Sequence, residues 1–191
     1  MAKEQTIQTC KTQSSGVFEI KGSKFLSFLF PIAEFKHSLA LLRDSHPKAV
    51  HFVNATRFYD IQNTYQLTES FSDDGEPKGS SGMPILNVLR GENLIDIGCV
   101  VVRYFGGIKL GVGGLVRAYT QSVQECIKNA TLIPYLKQES LEMQIPYNAV
   151  SKAQYHAQKL GITLHKEFTD KDIKIFCLGD KNSLEIFKNS L

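Results

Sequence analysis

Residues 100–119 read VVVRYFGGIKLGVGGLVRAY, and this stretch decides the fold. Its first part closes the run Leu94–Phe105, where the uninterrupted apolar block Cys99-Val100-Val101-Val102 predicts a strand covered on both faces. Arg103 stands at the strand's exit. The middle, Gly106 to Gly114, holds five glycines in nine residues and reads as a loop. Beyond it Leu115, Ala118, Tyr119, Ser122, Val123, Cys126, Ile127 and Ala130 recur at i, i+3, i+4, i+7, i+8, i+11, i+12 and i+15, so one face of a long helix is apolar or small. A doubly covered strand feeding such a helix calls for a sheet with helices laid on it.

Upstream, Val17–Ile20 and Phe25–Phe30 flank Lys21-Gly22-Ser23-Lys24 and predict a hairpin. Phe35, Leu39 and Leu42 have helical spacing, and that helix stops before His46-Pro47. Residues 49–59 and 64–71, rich in Val, Phe, Tyr and Thr, form a second strand pair around residues 60–63. Residues 72–82, SDDGEPKGSSG, are a loop, followed by a short helix capped by Ser80 or Ser81, with Ile85, Leu86 and Leu89 inward and Gly91 at its end. After Pro134 the order is β-α-β-β-α: a strand at 138–145, a helix from a cap at Asn148 to Gly161, strands at 162–168 and 172–178, and a helix capped by Asp180. The fold class is α+β, in a first domain of residues 1–134, whose first ~15 residues are an extended strand or tail, and a second of residues 135–191.

Composition excludes several classes. Hydrophobic residues make up 42% and charged ones 21% of the 191 residues, which rules out a disordered or low-complexity chain. The longest apolar runs, Phe25–Ile32 and Ile97–Val102, fall far short of the ~20 residues of a membrane helix. The polar start MAKEQTIQTCKTQSS has no signal-peptide core, so a cytoplasmic location is expected. Cys10, Cys99, Cys126 and Cys177 contain no CxxC pair and read as reduced core residues. A net charge of +3 does not by itself name nucleic acid as partner. No acid lies between Asp96 and Glu125, however, while Arg103, Lys109 and Arg117 do. This is a local basic site.

Two segments could carry chemistry. A glycine-rich loop opening a helix offers free amide donors and a positive dipole end to an anion, and Arg103, Lys109 and Arg117 surround Gly106, Gly107, Gly111, Gly113 and Gly114. Lys24 and Lys78 are further candidates for phosphate contact. The competing reading is a tight strand-to-helix connection in which glycine serves packing. Neither GxxxxGK[ST] nor GxGxxG is present, so an RNA backbone fits better than a mononucleotide. The second segment holds Asp73, Asp74 and Glu76, three carboxylates in four positions, with His51 as a candidate base. They could serve a metal-dependent hydrolase or phosphotransferase, or they could be only a turn. No cofactor and no metal are assigned.

SKF at 23–25, SDDGEPKGSSGMPIL at 72–86 and VVVRYFGGIKLGVGGLVRAY at 100–119 resemble the IMPACT/YigZ family. The resemblance implies a first domain like the second domain of ribosomal small-subunit protein five, a β-sheet backed by two helices. It also implies a ferredoxin-like second domain similar to the last domain of elongation factor G, here without its last strand. With these come a noncatalytic role in translation and stress response and, as partners, RNA, the ribosome or a translation-related protein. Family members commonly start their third strand with His-Asn-Cys, where this chain has His51-Phe52-Val53.

Overall fold

A computed structural model describes residues 6–60 and 66–191. Its contacts divide the chain into two compact units, one ending at Tyr135 and the other running Leu136–Leu191. The first contains β1 (Gln8–Cys10), β2 (Ser14–Ile20), β3 (Ser23–Pro31), α1 (Ile32–Ser45), β4 (His51–Asp60), β5 (Gln66–Ser72), α2 (Gly82–Gly91), β6 (Ile97–Tyr104), α3 (Val112–Lys128) and β7 (Leu132–Pro134). Residues 61–63, read as the turn of the second strand pair, and 64–65 lie outside the described residues.

The apolar run identified first is the middle of a five-stranded sheet of order β2-β3-β6-β4-β5, antiparallel at every pairing. Ile97 to Arg103 are all buried, because helices cover both faces. Strand alternation sends Ile97, Cys99 and Val101 into a core with Leu86 and Leu89 of α2 and Leu115, Tyr119 and Val123 of α3. Val100 and Val102 enter a smaller core with Phe30, Phe52 and Leu42 of α1. The sheet thus carries three helices on two faces, one more than the resemblance implies. The β2-β3 hairpin turns at Lys21 and Gly22, both left-handed (φ 49° and 76°), which matches strand twist in a two-residue turn. The N-terminal stretch adds a short strand, β1, antiparallel to β7.

The second unit contains β8 (Gln138–Ile145), a 3₁₀ turn (Tyr147–Ala149), α4 (Val150–Leu160), β9 (Thr163–Phe168), β10 (Ile173–Asp180) and α5 (Lys181–Ser190). Its sheet has the order β8-β10-β9 and is antiparallel. Ala153, Ala157, Leu184 and Phe187 of the helices pack on Ile145, Ile173, Ile175 and Cys177. Asp180 accepts from the Ser183 amide, as its position predicts, and Gly161 ends α4 with φ 68°. Asn148 is not a cap: the Ala149 amide bonds to the Pro146 carbonyl, tightening the entry into 3₁₀ form, and α4 begins at Val150. Among the described residues no helix is long and apolar enough to cross a membrane.

Candidate anion-binding site

The glycine-rich loop is shaped by two different demands. Gly106 lies directly on the β2-β3 turn, where a Cβ would come within 1.9 Å of the Gly22 carbonyl carbon and 2.2 Å of the Ser23 nitrogen. Its amide donates to Ser23 Oγ at 3.1 Å. Packing therefore accounts for Gly106, as the competing reading held. It does not account for Gly113. The loop is shorter than the sequence suggested, since α3 starts at Val112 and Gly113 and Gly114 form part of its first turn. Nothing lies within 4 Å of a Cβ built on Gly113, whose backbone is helical. Alanine there would be favoured by about 0.5–1 kcal/mol on propensity alone.

The two neighbouring helices treat their N-termini differently. Ser81 occupies the cap position of α2, but its hydroxyl does not cap it. Asp73 does so from the preceding loop: Oδ1 accepts from the Ser81 and Gly82 amides (3.2 and 2.8 Å) and the Ser81 hydroxyl (2.7 Å), and Oδ2 from the Gly79 amide (2.8 Å). Burial pulls the Asp73 carboxyl upward, but these donors outweigh it and hold it below the usual carboxylate range. The N-terminus of α3 has no side-chain cap and no acid in its first turn, so its first amides remain open to an anion.

The other acidic residues are also committed to protein donors. Asp74 accepts from Arg43 Nη2 at 2.8 Å and from the Phe52 amide at 2.6 Å. His51 donates through Nδ1 to the Asp74 carbonyl at 2.7 Å. Glu76 is turned inward, where its Oε1 accepts from Arg103 Nη1 and from the Tyr119 hydroxyl (2.8 Å), with His51 Nε2 3.9 Å away. Burial together with the Glu76 charge pushes the Tyr119 hydroxyl well up, so it stays a donor. Asp73, Asp74 and Glu76 therefore face three sets of partners instead of one shared cleft. Among the described residues no three His, Cys, Asp or Glu side chains are grouped to hold a metal ion.

A cavity of about 370 Å³ lies between the two loops. Glu76 and Arg103 line it together with Pro77, Phe105, Leu110, Val112 and Leu115, and Lys109 and Gly111 belong to its wall. Arg103 is 6% exposed, and its Nε is enclosed by protein with no hydrogen-bond partner among the described residues. Lys109 is exposed and has no carboxylate partner among the described residues. Arg117 is not in the wall. It lies one turn beyond Gly113 on the outer face of α3, and helical side chains lean toward the N-terminus, so it shares the open first turn. Lys78 is exposed beside Pro77. Lys24 does not belong here: strand alternation places it on the sheet face opposite Arg103, where it pairs with Glu19 at 3.2 Å. A larger groove of about 490 Å³ between α2 and α3, bordered by Met83, Asn87, Val116 and Gln124, includes no buried charge.

A family model described as the Impact N-terminal domain matches residues 21–127, more than half of the chain. The chain belongs to the IMPACT family. An IMPACT family member of Haemophilus influenzae is 32% identical over 184 residues, covering 94% of this chain and 88% of that protein. The IMPACT family member YigZ of Escherichia coli is 41% identical over 118 residues, covering 60% of this chain and 57% of that protein. A solved structure described as that of a hypothetical protein superposes with a TM-score of 0.79 at 27% identity, over 96% of this chain and 89% of that one. Every residue of the cavity wall lies inside the segment that matches the IMPACT domain.

Sequence reasoning missed Tyr119 and Phe105 as site residues. Tyr119 falls on the apolar stripe of α3 and reads as core, and its ring does pack edge-on against Phe25 at 5.1 Å. The signal that it also donates to Glu76 is the hydroxyl on a fully buried helix face, which requires an acceptor.

Proposed function

We propose that this IMPACT-family protein is a noncatalytic regulator of translation and stress response that binds RNA, free or in the ribosome, through phosphate contacts at the N-terminus of α3. The observation that carries this reading is Gly113, a helical glycine that no protein atom requires, at the uncapped end of a helix flanked by Lys109 and Arg117. Amide donors, dipole and two exposed cations suit a phosphodiester, whereas Asp73 closes the equivalent end of α2. A translation-factor partner is the protein alternative at the same surface. Amide chemical shifts recorded while single-stranded RNA is titrated in test the reading. Movement at Lys109 and Val112–Gly114 is expected, and saturable binding that leaves those amides unmoved would contradict it.

A further inference from the structure

The cavity beneath the proposed phosphate contacts has a chemistry of its own. Its volume of about 370 Å³ is at the small end of the ~300–1,000 Å³ typical of ligand sites. Its walls are apolar, from Pro77, Leu110, Val112 and Leu115, with the half-exposed Phe105 ring at its edge. Its floor is polar and incompletely satisfied. All three contacts to the buried Glu76 carboxylate fall on Oε1, so Oε2 is left as an acceptor. Arg103, 94% buried, donates to Glu76 through Nη1 only, so among the described residues Nη2 is left as a donor, while its Nε is already enclosed by protein. An aliphatic side chain seated here would leave a buried donor and acceptor desolvated, at a cost neither group recovers.

We infer that the cavity receives one unpaired nucleobase of the bound RNA. A base is flat and largely apolar in cross-section, and its edge presents an acceptor beside an N–H donor, the complement of the Arg103 and Glu76 floor. Phe105 supplies an aromatic face whose ring is 5.7 Å from the Arg103 guanidinium, an arrangement on which a base stacks. The Glu76 charge does not repel the adjoining phosphate, because the Arg103 ion pair neutralises it. Lys109, in the cavity wall, spans from the base to the phosphodiester it hangs from. The inference rests on the phosphate reading above and adds to it a preference for single-stranded over fully paired or abasic RNA.

The test uses the full chain and two octamers, oligouridine and an abasic oligoribose phosphate of the same length and charge. Stacking contributes ~1–3 kcal/mol per base, so oligouridine should bind the wild type at least about fivefold more tightly. Phe105→Ala, an exposed position that should leave the melting temperature in place, is expected to bring that ratio close to one. Lys109→Ala should weaken both octamers by a similar factor and preserve the ratio. Equal affinity of the wild type for both octamers would overturn the base pocket and leave the phosphate reading standing. Binding of neither octamer would overturn both.

Discussion

Replacing Glu76 gives the sharpest test of how the site is built. Its side chain is 3% exposed and that of Arg103 7%, so Glu76→Ala would leave a buried guanidinium without its counter-charge and the buried Tyr119 hydroxyl without its acceptor. Breaking one side of a buried ion pair costs about 3–5 kcal/mol, and orphaning the phenol about 1–3 kcal/mol more. Water entering from the adjoining cavity offsets part of this, so a net loss of about 3–5 kcal/mol is expected. Glu76→Gln removes the counter-charge as well but keeps an acceptor for both donors, so it should be less destabilising than Glu76→Ala by about 1–3 kcal/mol. Glu76→Ala combined with Arg103→Met removes both charges and should be more stable than Glu76→Ala alone. Hydrogen exchange of the fully buried β6 amides reports the opening of the first unit without interference from the second. At about 1.4 kcal/mol per decade, Glu76→Ala should accelerate their exchange about 10²–10⁴-fold. Exchange within tenfold of wild type, or a double variant less stable than Glu76→Ala, would refute the reasoning.

Other outcomes follow from the same geometry. Gly113→Ala should raise stability by about 0.5–1 kcal/mol in thermal melts while weakening RNA binding, because the open first turn is then partly covered. Gly106→Ala should lose about 1–3 kcal/mol or more, since its Cβ would meet the Gly22 and Ser23 backbone. Asp73→Asn should cost about 0.5–2 kcal/mol at neutral pH. The folded Asp73 carboxyl titrates below its unfolded value, so its contribution is present above the unfolded pKa and lost as pH falls through the folded one; urea midpoints against pH should fall less steeply toward acid in Asp73→Asn than in wild type, where Glu69 and Asp180 supply the rest of the limb. Burial raises all four thiols, Cys10 and Cys177 to about 11, so an aromatic disulfide reagent at pH 8 should label none in the native protein and four in denaturant.

What the sequence disclosed was the local periodicity. The alternation in β3, the unbroken run of β6 and the stripe of α3 each state which face is buried, because each pattern is the record of a core on one or both sides. The resemblance of the central motif pointed to the family that residues 21–127 match. What remained hidden were contacts between residues distant in the chain. Glu76 and Arg103 are 27 positions apart and Glu76 and Tyr119 are 43, so no spacing rule pairs them. The same blindness made DDGEP look like a cluster of ligands. Folded, Asp73 caps a helix eight residues on, Asp74 holds the start of β4, and only Glu76 reaches the cavity. Lys24 carries the charge a phosphate contact needs, but strand alternation turns it to the other face of the sheet, where it pairs with Glu19.

The central claim is that the N-terminus of α3 binds RNA through phosphates, and affinity for single-stranded RNA measured across a salt series tests it most directly. Each phosphate contact contributes about 0.7 to the slope of log affinity against log salt for a single strand. The account predicts that Lys109→Ala and Arg117→Ala each flatten the slope by about that amount without changing base preference or melting temperature, while Lys24→Ala leaves it unchanged. A double Lys109/Arg117 variant with the affinity and slope of the wild type, or a wild type whose affinity does not depend on salt, would contradict it.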